Sequence, residues 1–276
     1  MMAMAVSPPP RINVLGVGVS VLNMERAVSH ILAMVKVRQP GYVCVVGVHG
    51  VSEAQDDPSF KQILNQAALS TPDGMPMVWL GKWAGHAVMD RVYGPDLMLA
   101  IAAVSAEHGL RHFLYGGREG VAGQLALRLQ HRFPGLTIAG TFTPPFRPLD
   151  ADENAALEQQ VEATRPDIFW VGLGTPKQER FMHAYYVRLK VPVMVGVGAA
   201  FDICAGLLDQ APRWMQRSGL EWAYRLYKEP RRLWKRYLRN NPLFVGRVFL
   251  QLTGLKKYQI YPSSQSAGKY GSISPE

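Results

Sequence analysis

Apolar positions follow two rhythms along this chain. Between residues 12 and 197, short continuous apolar runs alternate with longer stretches in which apolar groups recur every three or four positions. A short β-branched run reads as a strand buried on both faces, and the three-to-four period reads as a helix with one apolar face. Ile12–Val19 is a run of strand length. Met24–Lys36 has helical spacing, with Asn23 placed to cap it. Tyr42–Val48 reads as a buried strand, Pro58–Ala67 as a helix, and Leu69–Thr71 as a brief strand entering the turn-rich loop Pro72-Asp73-Gly74-Met75-Pro76. Helices are expected over Gly94–His108, Val121–Arg132, Ala151–Thr164 and Pro176–Tyr186. Strands are expected over His112–Tyr115, Leu136–Thr141, Ile168–Val171 and Val191–Val197. Such alternation predicts an α/β fold: a mostly parallel, Rossmann-like sheet with helices on both faces.

Beyond Gly206 the strand signals stop. From Arg213 the pattern is helical, with cations at Arg225, Lys228, Arg232, Lys235 and Arg239 on one side. Trp222, Leu226, Leu233 and Tyr237 lie on another. Pro230 interrupts the run, which predicts two short helices there. The expected organisation is a disordered tail at 1–10, an α/β body at 11–205, a helical appendage at 206–257 and a second disordered tail at 258–276.

Charge sharpens this division. Residues 213–257 hold twelve Lys and Arg against two Glu, a net of +10 in a chain of net +9, which leaves −1 for the rest. A near-neutral body with one cationic, aromatic-rich end points to an anionic partner: phosphate, nucleic acid or a membrane surface. The bland alternative is a solvated helix face. No window approaches the roughly 18 uncharged apolar residues of a membrane span, and the N-terminus does not have the form of a signal peptide. The two cysteines, Cys44 and Cys204, stand apart in apolar runs. That argues against a disulfide framework or a cysteine-ligated metal and fits a reducing cytoplasm.

Candidate chemistry gathers at strand ends, where open α/β sheets bind ligands. Three of them carry glycine: Gly116-Gly117, Gly172-Leu173-Gly174 and Gly196-Val197-Gly198. Glycine lets backbone amides approach a phosphate, though tight turns explain each one equally well. Asp73, just past a strand, is suited to act as a general base or to cap the following helix. Asp202 is suited to accept hydrogen bonds from a sugar hydroxyl or to cap. Gln178 and Glu179 lie in the first turn after the Gly174 loop, facing a ligand or serving the helix dipole. Asp150-Ala151-Asp152 has the spacing of a metal-binding DxD, but Asp150 with Glu153 reads as a capping box. The seven histidines show no metal-ligand spacing. Arginine, rather than a metal, is expected to neutralise any phosphate here.

Taken together, several stretches resemble the WecG/TagA/CpsF glycosyltransferase family. They are Thr71-Pro72-Asp73-Gly74-Met75-Pro76, Arg91-Val92-Tyr93-Gly94-Pro95-Asp96-Leu97, Gly172-Leu173-Gly174-Thr175-Pro176-Lys177-Gln178-Glu179 and Gly196-Val197-Gly198-Ala199-Ala200-Phe201-Asp202. Ala211-Pro212-Arg213-Trp214, Glu221-Trp222-Ala223-Tyr224-Arg225-Leu226 and Glu229-Pro230-Arg231-Arg232 follow in order. The similarity runs from about Ile12 to Phe244.

The resemblance implies an inverting, metal-independent transfer from a UDP-sugar to a polyprenyl-diphosphate-linked saccharide in surface-polysaccharide biosynthesis. The transferred group would be a hexose, an N-acetylhexosamine or a uronic acid. It implies a cytoplasmic protein held peripherally at the inner face of the plasma membrane. Asp73 matches the family's base, and Arg91, Gln178 and Asp202 match its arginine, glutamine and nucleotide-side aspartate. Appendage arginines at Arg225, Arg232 and position 235 would meet the diphosphate. Position 235 is Lys235 here, with Arg236 beside it, and Lys lacks the bidentate fork of Arg. The family's Thr-x-Asn pattern is replaced by Gly47 and His49. The glycine ends Gly116, Gly117, Gly172, Gly174 and Gly198 would line the donor. Two other classes stay open: a nucleotide-binding oxidoreductase, and a non-enzymatic nucleic-acid binder using the basic end. The reading adopted is the transferase, with no nucleic-acid partner.

Overall fold

The computed structural model describes residues 7–260. A small antiparallel hairpin opens the fold, β1 (Arg11–Val14) and β2 (Val17–Ser20). It replaces the single strand expected over Ile12–Val19. The turn is concealed in the sequence because the residue entering it, Leu15, is apolar and buried although it takes a left-handed φ of 53°. Then follow α1 (Met24–Val37), β3 (Gly41–Val46), α2 (Val48–Asp56), α3 (Pro58–Gln66), β4 (Leu69–Pro72) and α4 (Met75–Trp83). The next elements are α5 (Gly94–His108), β5 (Arg111–Gly116), α6 (Val121–Arg132), β6 (Thr137–Phe142), α7 (Ala151–Thr164) and β7 (Ile168–Gly172). The body ends with α8 (Lys177–Tyr185), β8 (Val193–Gly196) and α9 (Ala200–Cys204). The appendage is α10 (Arg213–Arg217), α11 (Glu221–Lys228) and α12 (Pro230–Leu252).

Six strands pair in the order β4-β3-β8-β7-β5-β6, every pair parallel. Side chains alternate faces along each strand, so one strand feeds two cores. Tyr42, Cys44, Phe113, Tyr115, Phe169, Val171 and Met194 pack beneath α2, α3, α7 and α8. Val43, Leu114, Ile168, Trp170, Val193 and Val195 pack beneath α1, α5, α6 and α9. Because all six strands run the same way, their C-terminal ends form one rim. Gly47, Asp73, Gly116, Gly172 and Gly198 all stand on it or just beyond it.

Asn23 caps α1 by accepting from the Arg26 amide, and Asp150 with Glu153 closes a capping box on α7. The DxD spacing is thus helix-start chemistry. Three helices were not among those expected: α2, α4 and the short α9. In α2, Val48 begins a helix rather than ending a strand. In α4, Pro76 falls in the first turn, where a missing N–H costs nothing, so it starts the helix instead of prolonging the loop. Pro230 likewise begins α12, which runs 23 residues through Pro242 rather than forming a second short helix.

The far end of α12 is fastened to the body. Phe244 is buried in the core beneath α2, and Gln251 bridges the hairpin, accepting from the Leu15 amide and donating to the Asn13 carbonyl. At both ends of the described chain, residues expected in disordered tails are placed. Pro9 is buried and the Pro10 carbonyl accepts from the Val21 amide, while the Tyr258 carbonyl accepts from Asn13. Residues 1–6 and 261–276 of those tails lie outside the described residues.

Candidate active site

Asp73 follows β4 directly. Its amide donates to the Val46 carbonyl at 2.9 Å, continuing the sheet by one step, and Gly74 rather than Asp73 occupies the N-cap of α4. The carboxylate is therefore not used for capping. The chain returns to it after α4: the Val92 amide donates to the Pro72 carbonyl, which brings Arg91 alongside. Arg91 Nε lies 4.0 Å from Asp73 Oδ1, and the guanidinium stacks over the Tyr93 ring at 4.0 Å. Arg91 also donates to Gln216 in α10 at 2.6 Å and pairs with Glu221 in α11. One arginine thus joins the rim of the sheet to the appendage.

Burial raises the Asp73 carboxyl, against the pull of Arg91. Glu221 and Asp96 push the same way as burial, Arg225 opposes, and the group is pushed up to about 6. About a third of the side chain, 32%, remains accessible, so the group is reachable from solvent. A carboxylate poised near neutrality and open to a substrate is equipped for proton transfer.

The appendage presents its cations unequally. Burial works against the charge on Arg225, but Tyr237, Tyr93, Glu221 and Asp73 surround it and the net effect is upward. Its Nε is buried without a hydrogen-bond partner among the described residues, and the same holds for Arg91 and Arg236. Arg236 stacks on Tyr237, whose ring also meets Trp222 edge-on at 6.0 Å and ties α11 to α12. Arg232 and Lys235 instead face solvent: Arg232 pairs with Glu229, and Lys235 lies over the Trp234 ring. Of the four cations expected at the diphosphate, the structure brings Arg225 and Arg236 inward and leaves Arg232 and Lys235 outside. Counting from Arg225 in threes and fours fails because the chain breaks its helical φ and ψ at Glu229, which resets the phase.

Gln178 is 3% exposed and lies under the Gly174 loop rather than open to it. Its Oε1 accepts from the Gly174 amide, and its Nε2 donates to Glu179, which also accepts from Thr175 Oγ1. Burial raises the Glu179 carboxyl, partly offset by Thr175 and Gln178. Gln178 therefore shapes the loop. Several glycines answer to packing: a Cβ at Gly116 would stand 2.7 Å from the Gly172 backbone, and one at Gly172 would stand 2.5 Å from the Phe201 ring. Gly117 donates its amide to the Gly172 carbonyl. Gly174 differs, since a Cβ there would meet nothing within 4 Å, although its amide and carbonyl are both hydrogen-bonded to Gln178. Beyond Gly198, whose position lies over Gln178, Asp202 faces Arg118 at 3.7 Å with a buried Oδ1 that accepts no hydrogen bond among the described residues.

Sequence reasoning passed over Glu221, Tyr93 and Asn240. The first two sat inside stretches already singled out. Asn240 carried no signal, because only the turn-by-turn phase of α12 reveals that it points inward.

A parallel sheet whose C-terminal rim carries an accessible carboxylate, glycine turns and inward-facing arginines is suited to an anionic ligand. The family comparison identifies the class: residues 12–258 match the Glycosyl transferase WecG/TagA/CpsF family, and this chain belongs to it. It is a glycosyltransferase. It is similar to an N-acetylglucosaminyldiphosphoundecaprenol N-acetyl-beta-D-mannosaminyltransferase of Bacillus spizizenii, at 32% identity over 71% of this chain and 74% of that one. The protein of the same name from Bacillus subtilis is 30% identical over 66% of this chain and 69% of its own.

Proposed function

We propose that the chain transfers a sugar from a UDP-sugar to the saccharide of a polyprenyl-diphosphate-linked acceptor, with inversion. The relatives' names specify an N-acetylglucosaminyl-diphosphoundecaprenol acceptor, and the same acceptor class is proposed here. The observation that carries the reading is Asp73, raised toward neutrality, one third exposed and within 4.0 Å of a buried arginine on the rim.

The acceptor hydroxyl gives its proton to Asp73 as its oxygen attacks the anomeric carbon. The bond to the UDP oxygen breaks on the opposite face, and UDP leaves with the electron pair. A general base of this kind is worth about 10²–10⁴ in rate. Charge then develops on the diphosphate, where the guanidinium groups of Arg225 and Arg236 meet it. Fixed donors aimed at developing charge supply the larger share of such accelerations. These guanidinium groups take the place of a metal ion. Asp202 sits toward the nucleoside, and the Gly174 backbone borders the phosphates.

No helix among the described residues is long and apolar enough to cross a membrane. Attachment is proposed to be peripheral, at the inner face of the plasma membrane. Trp214, Trp222, Tyr227, Trp234 and Leu238 are exposed on the same appendage as the exposed Arg231, Arg232 and Lys235. Aromatic groups seat at a bilayer interface, and each cation near an anionic surface adds about 1 kcal/mol.

The test is a panel of UDP-sugars presented with a lipid-diphosphate-linked N-acetylglucosamine. Expected is one UDP released per sugar transferred, with an inverted anomeric centre in the product. Failure of every UDP-sugar, with transfer from another nucleotide donor, would overturn the donor assignment.

A further inference from the structure

Between the rim and α12 stands one side chain that the reaction above does not use. His49 is in the first turn of α2, immediately past the end of β3. Its Nδ1 lies 3.3 Å from the Asn240 amide nitrogen of α12. Asn240 is itself buried, on the same inward stripe as Leu233 and Phe244. Burial pushes His49 down to about 4, assisted by Arg236, partly offset by the Thr175 carbonyl, and assisted again by Arg225. The ring is neutral at physiological pH, and with its proton on Nε2 the Nδ1 lone pair accepts from the Asn240 N–H. Glu53 lies 3.5 Å from the same nitrogen, with its side chain about four-tenths exposed (41%), and a carboxylate has no proton to give it.

The position of this contact along α12 gives it meaning. Two residues further on, Pro242 removes one rung of the helix ladder. Downstream, Phe244 and Gln251 fasten the helix to the core and the hairpin. Upstream, from Pro230 to Arg239, most of the helix is exposed, and this half carries Arg236. Arg239 makes only an exposed pair with Asp56. Such pairs hold weakly. Among the described residues the His49–Asn240 contact is thus the last part-buried polar fastening of α12 before its upstream half, where Leu233 is buried and Tyr237 meets Trp222 of α11.

We infer that His49 is a positioning residue: through Asn240 it latches the upstream half of α12 over the rim, holding Arg236 where the leaving diphosphate is formed. The latch deepens the sugar-transfer reading and rests on it for its effect on rate. An Asn at 49 would set its Oδ1 close to the place of the imidazole Nδ1 and keep the acceptor.

The experiment uses the full chain, with His49→Ala, Asn240→Ala, the double variant and His49→Asn. Each is assayed for sugar transfer in saturating UDP-sugar and lipid-linked acceptor, and for amide hydrogen exchange. One buried hydrogen bond sets the scale, so each Ala variant is expected to lose about tenfold in kcat. The double variant should lose no more than the singles, and His49→Asn should return to within about threefold of wild type, on the scale of a weakened but retained hydrogen bond. Exchange should quicken over 230–241 while the sheet strands keep their protection. A wild-type rate in His49→Ala overturns the latch. So do multiplying losses in the double variant, or a His49→Asn as slow as His49→Ala. If the wild type itself transfers no sugar from any UDP-sugar, the reaction falls instead. The exchange arm then decides alone: faster exchange over 230–241 supports the latch, and unchanged exchange overturns it.

Discussion

The Asp73 carboxyl makes the sharpest prediction, because its environment moves it across the working pH range. Burial raises it to about 6 against Arg91, with Glu221 and Asp96 on the side of burial and Arg225 opposed. A base works only when ionised. With a midpoint of about 6, some nine-tenths of the enzyme is active at pH 7 and about one-tenth at pH 5. Transfer should therefore fall about tenfold over that interval, while a carboxyl at its ordinary 3.8 would lose almost nothing. Glu221→Gln removes a neighbouring negative charge and loosens Arg91 from its partner. Both effects favour the ionised Asp73, so the midpoint should move down. The assay is kcat/KM against pH with UDP-sugar and lipid-linked acceptor, in buffers of constant ionic strength. A flat profile from pH 5 to 7, or an upward shift in Glu221→Gln, would refute the electrostatic reasoning. Stability supplies an independent check. A carboxyl whose folded pKa is raised above its unfolded value destabilises the fold once pH exceeds the unfolded value. Asp73→Asn should thus melt higher than wild type at pH 7, with the gap closing as pH falls toward 4. The same variant should lose about 10²–10⁴ in transfer.

How much of this was legible depended on local signals. The bounds of α6 and α7 were plain because Gly120 and the Asp150 capping box mark their starts. The helix α4 was hidden by Pro76, which reads as a loop residue but is tolerated in a first turn. The hairpin was hidden by Leu15, whose burial outweighs the cost of a left-handed backbone. Asp73 and Arg91 could be named because loops at strand ends carry function. What the sequence could not supply was the phase of α12. Its helical period restarts at Pro230, and only then do Arg236 and Asn240 turn inward and Lys235 outward. The anchoring of residues 244–258 was equally invisible, since Phe244, Gln251 and Tyr258 find their partners more than 180 positions away. A boundary near Gly206 thus separates a composition change, while the far end of α12 shares the body's core.

Other outcomes follow from the same geometry. Arg225→Ala and Arg236→Ala should each lower kcat by about 10²–10³, the range for one donor to a developing anion. Arg232→Ala and Lys235→Ala should keep near-normal turnover in detergent but bind anionic vesicles more weakly, as sedimentation would show. Chelation with EDTA should leave the rate unchanged; a loss restored by a divalent cation would contradict the arginine-only account. Phe244→Ala empties a buried site and should cost about 3–5 kcal/mol in denaturant unfolding. An unchanged midpoint would mean that α12 is not part of the core.

The most direct measurement is a structure of the full chain with a UDP-sugar and a short-chain diphosphate-linked acceptor, obtained with Asp73→Asn to halt turnover. The account predicts residue 73 within hydrogen-bond reach of the acceptor hydroxyl, with Arg225 and Arg236 on the phosphate bearing the sugar. Guanidinium groups turned to solvent, or residue 73 remote from the anomeric carbon, would contradict it.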